Sequence, residues 1–293
     1  MSGHMDHYGV VGNPVEHSRS PAIHARFAEL TGQAMDYCKL LAPLDHFAQA
    51  LQQWIDSGGR GCNVTVPFKF EAFRLADTAT DRAQLAQAAN TLKFDAGRIE
   101  ADNTDGIGLV NDIQNNAGVP LAGRDLLLLG AGGAAAGVLG PLLAARPRRI
   151  VVANRTQARA ALLVARHASH PSLQNLLQKT ELMAQDLQGL QADFDVVVNA
   201  TASSLGGAAL TLDPCVLKPG ALAYDMMYGP AAQGFADWAR AHGAVPRDGL
   251  GMLVEQAAES FLFWRGVRPP SAQVLLEMQQ QQQQQQQQPK APA

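Results

Sequence analysis

A lysine and two polar residues lie at the end of what the sequence predicts to be a buried strand. Asn63 and Thr65 alternate with Val64 and Val66, which is the period of two expected for an extended segment. The proline that follows cannot donate a hydrogen bond to a sheet, so the strand should end there and leave Lys69 just beyond its carboxyl end. In an open α/β sheet, that edge carries the substrate chemistry. The same residues also fit an edge strand with a solvated lysine, and other parts of the sequence have to decide.

Two hydroxyl groups precede the first predicted helix. Ser18 and Ser20 lie just before this helix, and Pro21 fits its first turn. Unpaired backbone N–H groups and the helix dipole favour an anion at such a position, and two hydroxyls would suit a carboxylate there. Helix capping alone would also explain both serines.

A glycine-rich loop follows an apolar strand in the middle of the chain. Leu126 to Leu129 form this strand, and residues 130–135 then have the form Gly-x-Gly-x-x-Ala before a predicted helix. Between a strand and a helix, such glycines allow a tight turn and let the backbone approach a pyrophosphate closely. We therefore expect a dinucleotide to contact Gly130, Ala131, Gly132, Gly133 and Ala134.

Cationic residues follow the next predicted strand, residues 150–153. At this position a cofactor with a free ribose hydroxyl requires Asp or Glu, whereas a 2′-phosphate requires cations. Arg155 and Arg159 can form a phosphate pocket, because guanidinium matches phosphate with paired hydrogen bonds. The sequence therefore favours NADP over NAD. A polar turn at residues 199–203 should also meet the cofactor.

Strands and helices alternate along most of the chain, which predicts parallel α/β layers. The main predicted strands are residues 8–12, 37–41, 63–66, 126–129, 150–153, 194–199 and 221–228. The chain has 293 residues, of which 47% are hydrophobic and 17% charged, so it is long enough for two domains with sizeable cores.

The composition gives no reason to expect a nucleic acid or a membrane as partner. The formal net charge is only −3. Residues 126–145 are uncharged over the length of a membrane span, but five glycines and Pro141 favour a strand, a turn and a buried helix. Cys38, Cys62 and Cys215 form no CxxC pair, as is typical of a reduced cytosolic protein.

Two polar clusters could suggest a metal, but neither has a complete ligand set. The acidic segment 102–105 lacks the twelve-residue loop and terminal glutamate of a calcium-binding hand, and Asp105 also fits the cap of the next helix. His167 and His170 have no accompanying ligands and are expected at the surface. We predict no metal site.

Taken together and in order, these motifs resemble the shikimate dehydrogenase family from about Tyr8 to Met278. The motifs that carry the resemblance are Ser18–Pro21, Asn63–Lys69, Asn90–Thr91, Asp102–Gly106, Gly130–Ala134, Asn154–Thr156 and Gly251–Gln256. The resemblance implies an α/β enzyme of two domains separated by a cleft. They are an N-terminal substrate domain with a mostly parallel sheet, residues 6–105 plus 250–278, and a Rossmann-like NADP-binding domain, residues 106–249. Residues 279–293 contain a polyglutamine run with nothing to bury and are expected to be a disordered tail.

The family catalyses the NADP-dependent, reversible reduction of 3-dehydroshikimate to shikimate in aromatic amino-acid biosynthesis, and the resemblance implies this activity here. It implies that Lys69 and Asp105 are the catalytic pair. The implied substrate contacts are Ser18, Ser20 and Tyr228 for the carboxylate, and Asn63, Thr65, Asn90, Asp105 and Gln256 for the ring hydroxyls. The implied cofactor contacts are the glycine loop together with Asn154, Arg155, Thr156, Arg159, Thr201, Met226, Gly249 and Met252.

The implied chemistry needs a cationic proton donor, because the carbonyl oxygen of a ketone gains negative charge as hydride arrives. Asp105 would keep Lys69 protonated for reduction, whereas oxidation requires Lys69 to lose its proton and should improve at alkaline pH. One position departs from the family pattern. Many relatives carry an arginine where this chain has Ala136. If that arginine contacts the cofactor phosphate, Arg155 and Arg159 must do more here.

The sequence leaves two alternatives open. Some relatives also oxidise quinate, which has one more hydroxyl and no ring double bond; Ser18 and Ser20 favour shikimate, but one hydroxyl is hard to exclude from sequence. A non-catalytic sensor that binds NADPH would be expected to lack Lys69 or Asp105, and both are present. The resemblance implies a cytoplasmic monomer or homodimer.

Overall fold

The computed structural model describes residues 5–190, 192–201 and 212–287, which fold into two six-stranded sheets surrounded by helices. The elements of the first sheet and its helices are β1 (Asp6–Gly12), α1 (Ser20–Thr31), β2 (Met35–Leu41), α2 (Phe47–Asp56), β3 (Gly59–Val64), α3 (Lys69–Leu75), β4 (Thr78–Ala79), α4 (Asp81–Ala86), β5 (Thr91–Asp95) and β6 (Arg98–Asp102). The strand order is β2-β1-β3-β5-β6-β4. The pairs β1–β2, β1–β3 and β4–β6 are parallel, whereas β3–β5 and β5–β6 are antiparallel.

The second sheet follows α5 (Asp105–Asn111), which continues as a π-helical turn over Asp112–Asn116. Its elements are β7 (Asp125–Leu129), α6 (Gly133–Ala144), β8 (Arg149–Asn154), α7 (Gln157–Ala168), α8 (Gln174–Leu177), β9 (Glu181–Asp186), β10 (Phe194–Asn199), β11 (Leu217–Asp225), α9 (Gln233–Ala241) and β12 (Val245–Arg247). All its pairings are parallel, in the order β12-β11-β10-β7-β8-β9. This is the strand order of a dinucleotide-binding Rossmann fold, and it confirms the predicted fold class.

The uncharged run of residues 126–145 is divided between β7, the glycine loop and α6. Leucines at four consecutive β7 positions are buried because helices cover both faces of a parallel sheet. Among the helices of the described residues, none combines the length and the apolar character that crossing a bilayer requires.

The chain returns to the first sheet through α10 (Leu250–Arg265) and α11 (Ser271–Gln287). The α10 residues Phe261 and Trp264 pack with Tyr8 and Phe27, and the Trp264 indole donates a 2.9 Å hydrogen bond to the carbonyl of Leu92 in β5. Helix α10 therefore completes a core that the N-terminal strands begin.

Helix α11 extends beyond Met278 into the glutamine run, which was expected to be disordered. Helix α11 continues to Gln287, so residues 279–287 are helical, and residues 288–293 lie outside the described part. Glutamine has a good helix propensity, and a helix that is already nucleated can propagate through it. A two-pronged Arg26–Glu277 ion pair, with both N–O distances at 2.9 Å, docks the preceding turn on α1.

Two glycines let α5 lie directly against α6. A Cβ atom on Gly106 would be 2.5 Å from the carbonyl oxygen of Gly137, and one on Gly137 would be 2.7 Å from Oδ1 of Asn103. Only glycine permits this approach. Because α5 begins at Asp105 and α6 begins at the glycine loop, this contact sets the distance between the two motifs.

A buried ion pair joins the two segments that connect the sheets. Asp112, at the end of α5, is fully buried and accepts two hydrogen bonds from Arg247 of β12, at 2.7 and 2.6 Å. The hydroxyl of Tyr224 in β11 donates a third at 2.7 Å, and the amide of Asn116 a fourth at 2.9 Å. The carboxylate is therefore fully paired, as burial of a charge requires.

We expect Asp112→Ala to lower the free energy of unfolding by about 3–5 kcal/mol, because it leaves the Arg247 guanidinium without a counter-charge. Urea unfolding followed by circular dichroism measures the change. The matched control is Asp237→Ala, which removes the exposed Arg240–Asp237 pair on α9 and should cost no more than about 0.5 kcal/mol. Similar losses in both variants would contradict a special role for the buried pair.

Candidate active site

The lysine and the aspartate singled out in the sequence form a direct ion pair. Lys69 is the first residue of α3 and Asp105 the first residue of α5, and the Lys69 Nζ–Asp105 Oδ2 distance is 2.5 Å. The side chains are 15% and 7% exposed, respectively. A lysine so nearly buried is held by its partner and is not a solvated surface lysine. This rules out the edge-strand alternative for Lys69.

The residues before Asp105 hold it in place. Asp102 is fully buried and accepts hydrogen bonds from Thr80 at 2.6 Å and from two nitrogens of Arg82 at 2.6 and 2.5 Å. The side chain of Asn103 accepts the backbone N–H of Asp105 at 3.2 Å and donates to the carbonyl of Ala88 at 2.8 Å. The turn that presents Asp105 is therefore held by hydrogen bonds to its own side chains.

Asn90 connects Asp105 with helix α10. Its amide nitrogen lies 2.9 Å from Asp105 Oδ1, 2.9 Å from Thr104 Oγ1 and 3.2 Å from Gln256 Oε1. The side-chain oxygen of Asn90, Oδ1, accepts a hydrogen bond from the backbone N–H of Thr104 at 2.8 Å, which fixes the orientation of the side-chain amide. Asn90, Asp105 and Gln256 are thus brought together, as the resemblance implied.

Asn63 is also part of this network, but protein atoms occupy its amide group. Its nitrogen faces the carbonyl of Asn90 at 3.1 Å, Thr91 Oγ1 at 3.1 Å and Ser260 Oγ at 2.9 Å. The Tyr37 hydroxyl donates to its oxygen at 2.7 Å. An amide has only two hydrogens, so Asn63, like Asn90, has both of its donors facing protein acceptors.

Sequence reasoning missed the residues that support Asn63. Tyr37 stacks on His24, with ring centroids 4.3 Å apart, and burial lowers the pKa of His24 to about 3, so the imidazole is neutral at physiological pH. No sequence pattern linked these residues to the site. Ser260 could have been found, because it lies four residues after Gln256 and therefore on the same helix face.

The two predicted carboxylate-binding serines lie together at the start of α1. Ser18 Oγ accepts the backbone N–H of Ser20 at 3.3 Å, and the helix begins at Ser20 with Arg19 as its cap. Tyr228 reaches this loop because β11 ends at Asp225, three residues earlier than predicted, and its hydroxyl donates to the His17 carbonyl at 3.4 Å. Burial raises the pKa of Tyr228.

Thr65 lies at the same end of the first sheet but outside β3. The strand ends at Val64, and the Thr65 backbone N–H donates to the carbonyl of Val11 at 2.9 Å. Its side chain is half-buried. The alternation with Asn63 therefore does not extend across the end of the strand.

A cavity of about 850 Å³ lies between Lys69 and the second sheet. Its lining includes the glycine loop after β7, Asn154 and Arg155 after β8, and Thr201 after β10. The strands β8 and β10 lie on opposite sides of β7, so this is the crevice where the strand order reverses and where such folds bind dinucleotides. The predicted cofactor residues in the lining are Gly130, Ala131, Gly132, Gly133, Ala134, Asn154, Arg155 and Thr201.

The loop geometry fits a dinucleotide. Gly130 has a φ of 108°, which disfavours any residue with a side chain, and its position leaves only 3.1 Å between a Cβ atom and the carbonyl oxygen of Ala200. Gly132 faces open space, so its backbone is accessible to a phosphate.

The remaining predicted cofactor residues lie outside the described cavity lining. Thr156 caps α7, and Arg159 is exposed in its first turn. Met226 follows β11, Gly249 precedes α10, and Met252 is buried in the core. Residues 202 and 203 of the predicted polar turn lie outside the described residues. Cofactor contacts at these positions stay predictions.

Position 136, where many relatives carry arginine, is part of the packed interior here. Ala136 is buried in α6 among the core residues of the second sheet. Its methyl group packs against the core of the second sheet, and this residue places no charged group in the cavity. Arg155 is the arginine of the predicted phosphate pocket that lines the cavity.

A buried aspartate lies at the end of the neighbouring strand. Asp225 accepts the Met227 backbone N–H at 2.9 Å and the Asn199 amide at 3.1 Å. Burial raises its pKa to about 6. Asn199 in turn accepts the Thr201 hydroxyl at 2.7 Å, so the cavity-lining Thr201 is held by the ends of two strands.

The structure corrects the expectation that His167 lies at the surface. This residue is fully buried, its Nδ1 lies 3.0 Å from the Leu163 carbonyl, and burial lowers its pKa to about 4. His170 is exposed and contacts Ser172. Across the residues that the structure describes, no group of three or more His, Cys, Asp or Glu side chains is arranged to hold a metal ion.

Family models match three stretches of the chain. A shikimate dehydrogenase substrate binding domain matches residues 10–92, a shikimate / quinate 5-dehydrogenase model matches residues 112–206, and a shikimate 5′-dehydrogenase C-terminal domain matches residues 249–275. The first two stretches lie within the halves of the chain that form the first and second sheets, and the third covers α10 and the start of α11.

Individual relatives agree with these matches over nearly the whole chain. A shikimate dehydrogenase (NADP(+)) from Acidovorax sp. (strain JS42) is 66% identical, over 95% of this chain and 98% of the relative. An Ael1 enzyme from Pseudomonas putida is 44% identical in sequence to this chain. Its crystal structure matches with a TM-score of 0.81, over 93% of this chain and 97% of the other. That of shikimate 5-dehydrogenase from Thermus thermophilus in complex with NADP(H) and shikimate is 29% identical, with a TM-score of 0.80 over 94% and 99%. The chain therefore belongs to the shikimate dehydrogenase family.

Proposed function

We propose that this chain catalyses the NADP-dependent, reversible reduction of 3-dehydroshikimate to shikimate. The observation that carries the proposal is the Lys69–Asp105 ion pair, whose lysine lines the same cavity as the glycine loop. The activity named for a relative at 66% identity supports the same reaction. A sensor without catalysis would have no use for this pair.

We further propose a division of labour between the two halves. Residues 6–105 and 250–278 bind substrate, and residues 106–249 bind NADP. The core shared by β1, α1 and α10 supports the first unit, and the all-parallel second sheet supports the other. Three free cysteines are consistent with a cytoplasmic protein, which we expect to act as a monomer or homodimer.

Lys69 is the proposed proton donor in ketone reduction. Bound NADPH supplies the hydride to the carbonyl carbon. The Lys69 ammonium gives its proton to the carbonyl oxygen, which would otherwise carry the developing negative charge. Asp105 accepts a hydrogen bond from the Lys69 ammonium at 2.5 Å and holds it in position. In the reverse direction, neutral Lys69 accepts the proton of the shikimate hydroxyl.

The polar residues around this pair orient the substrate. Ser18, Ser20 and Tyr228 are proposed to bind its carboxylate, because two hydroxyls and a helix start favour an anion. Thr65, Asn90, Asp105 and Gln256 are proposed to bind ring hydroxyls. Asn63 is proposed to contact a ring hydroxyl as well, since its amide group belongs to the same hydrogen-bond network as that of Asn90.

The direct test is an assay of reduced nicotinamide absorbance with purified protein. Shikimate with NADP⁺ should give turnover, and quinate or NAD⁺ should give much less. Comparable rates with quinate would favour the broader dehydrogenase, because one hydroxyl is a weak basis for exclusion. No turnover of shikimate at any pH would overturn the proposal and favour the sensor.

We expect Lys69→Ala to lower kcat by roughly a hundredfold to ten-thousandfold with little change in the KM of shikimate, since proton transfer matters mainly in the transition state. Steady-state kinetics measure both constants. Lys39→Ala is a control in the same half of the chain, because Lys39 is exposed on β2 and its amine donates to a backbone carbonyl, that of Glu16. Near-complete turnover in Lys69→Ala would remove Lys69 from the mechanism.

Arg155→Ala should raise the KM of NADPH roughly tenfold to a hundredfold, because it removes charge-assisted hydrogen bonds to the 2′-phosphate. The KM of shikimate and the weaker use of NADH should stay unchanged. Arg159→Ala is the matched comparison, since Arg159 lies one helical turn farther and outside the cavity lining. If the wild type used NADH as well as NADPH, the phosphate pocket would be contradicted.

A further inference from the structure

An aromatic side chain borders the cavity next to Lys69 and has no role in the site described so far. Phe70, in the first turn of α3, is 39% exposed, and its neighbour in the lining, Val66, is 40% exposed. With Pro67 they form an apolar patch within a concave surface. Apolar surface in such a position is typical of a ligand contact.

The Phe70 ring lies beside the glycine loop. A Cβ atom on Gly133 would lie 3.7 Å from Cε2 and 3.8 Å from Cζ of Phe70, which is ordinary van der Waals contact. The same Cβ would lie 3.6 Å from Cβ of Lys69. Phe70 and Lys69 are therefore both adjacent to the start of α6.

The direction of a bound dinucleotide follows from the two groups that recognise it. Arg155, after β8, takes the 2′-phosphate of the adenosine half, and the glycine loop after β7 takes the pyrophosphate. The nicotinamide half must then continue away from β8. It has to reach Lys69, because hydride and proton are delivered to the same carbonyl group.

We propose that Phe70 packs against the nicotinamide half of bound NADP(H) and holds it beside Lys69. This inference rests on the proposed function. The exposed part of the ring supplies an apolar surface beside the glycine loop, and covering it on binding contributes to affinity. The contact is to the nicotinamide half only, so it has no part in recognition of the 2′-phosphate.

The experiment compares two ligands by calorimetric titration. NADPH contains both halves of the cofactor, whereas adenosine 2′,5′-bisphosphate lacks the nicotinamide half. We expect Phe70→Ala to weaken NADPH about tenfold, equivalent to about 1.4 kcal/mol, and to leave the bisphosphate unchanged. Phe70→Leu, which keeps an apolar side chain, should weaken NADPH less. Arg155→Ala should weaken both ligands.

The control is Leu44→Ala, which removes an exposed apolar side chain, 61% accessible, that is outside the cavity lining. It should change neither affinity. Equal NADPH affinity in Phe70→Ala and the wild type would overturn the inference, and so would equal weakening of both ligands. If Phe70→Ala does not fold, Phe70→Leu replaces it in the test. The inference is then overturned if Phe70→Leu has the wild-type affinity for NADPH and the wild-type KM of NADPH. Failure of the wild type to bind NADPH would instead overturn the proposed function.

Discussion

The site depends on burying a lysine and an aspartate next to each other. Each charge alone would cost several kcal/mol to remove from water, and the cost is offset only when partners and hydrogen bonds surround both. Lys69 has Asp105, and the second oxygen of Asp105 has Asn90. The other polar groups of the region can be understood as completing this arrangement, since each unsatisfied buried group would destabilise it further.

The pair is useful only at a fixed distance from the dinucleotide loop. That distance is set by backbone contact, because Gly106 and Gly137 bring α5 and α6 together without intervening side chains. The Asp112–Arg247 ion pair then ties the first connecting segment to the second. The proposed substrate and cofactor residues come from the two different halves of the chain, and these buried contacts between the connections hold the two sets at a fixed distance.

Much of the fold could be predicted because its signals are local. Alternating apolar residues and a Gly-x-Gly-x-x-Ala loop after a strand indicate βαβ units without any knowledge of tertiary contacts. The pairing of Lys69 with Asp105 is not local, and it was expected only through the resemblance of ordered motifs. The sequence could not predict which buried polar side chains already have hydrogen-bond partners within the protein. Asn63 has the residue type of a substrate contact, but whether its amide is free depends on Tyr37 and Ser260, which are distant in sequence.

The proposed substrate and cofactor sites differ in the kind of groups that could determine their specificity. On the substrate side, Asn63, Asn90, Asp105 and Gln256 are buried and hydrogen-bonded in one network, so changing one alters the geometry of the others. On the cofactor side, backbone amides of glycines carry no side-chain information, and Arg155 is exposed and separate. With alanine buried at position 136, the proposed cofactor site has fewer side chains that could decide cofactor choice than the proposed substrate site has for substrate choice. If both proposals hold, substitutions could change cofactor preference without disturbing the substrate network, whereas a change of substrate would require several coordinated substitutions.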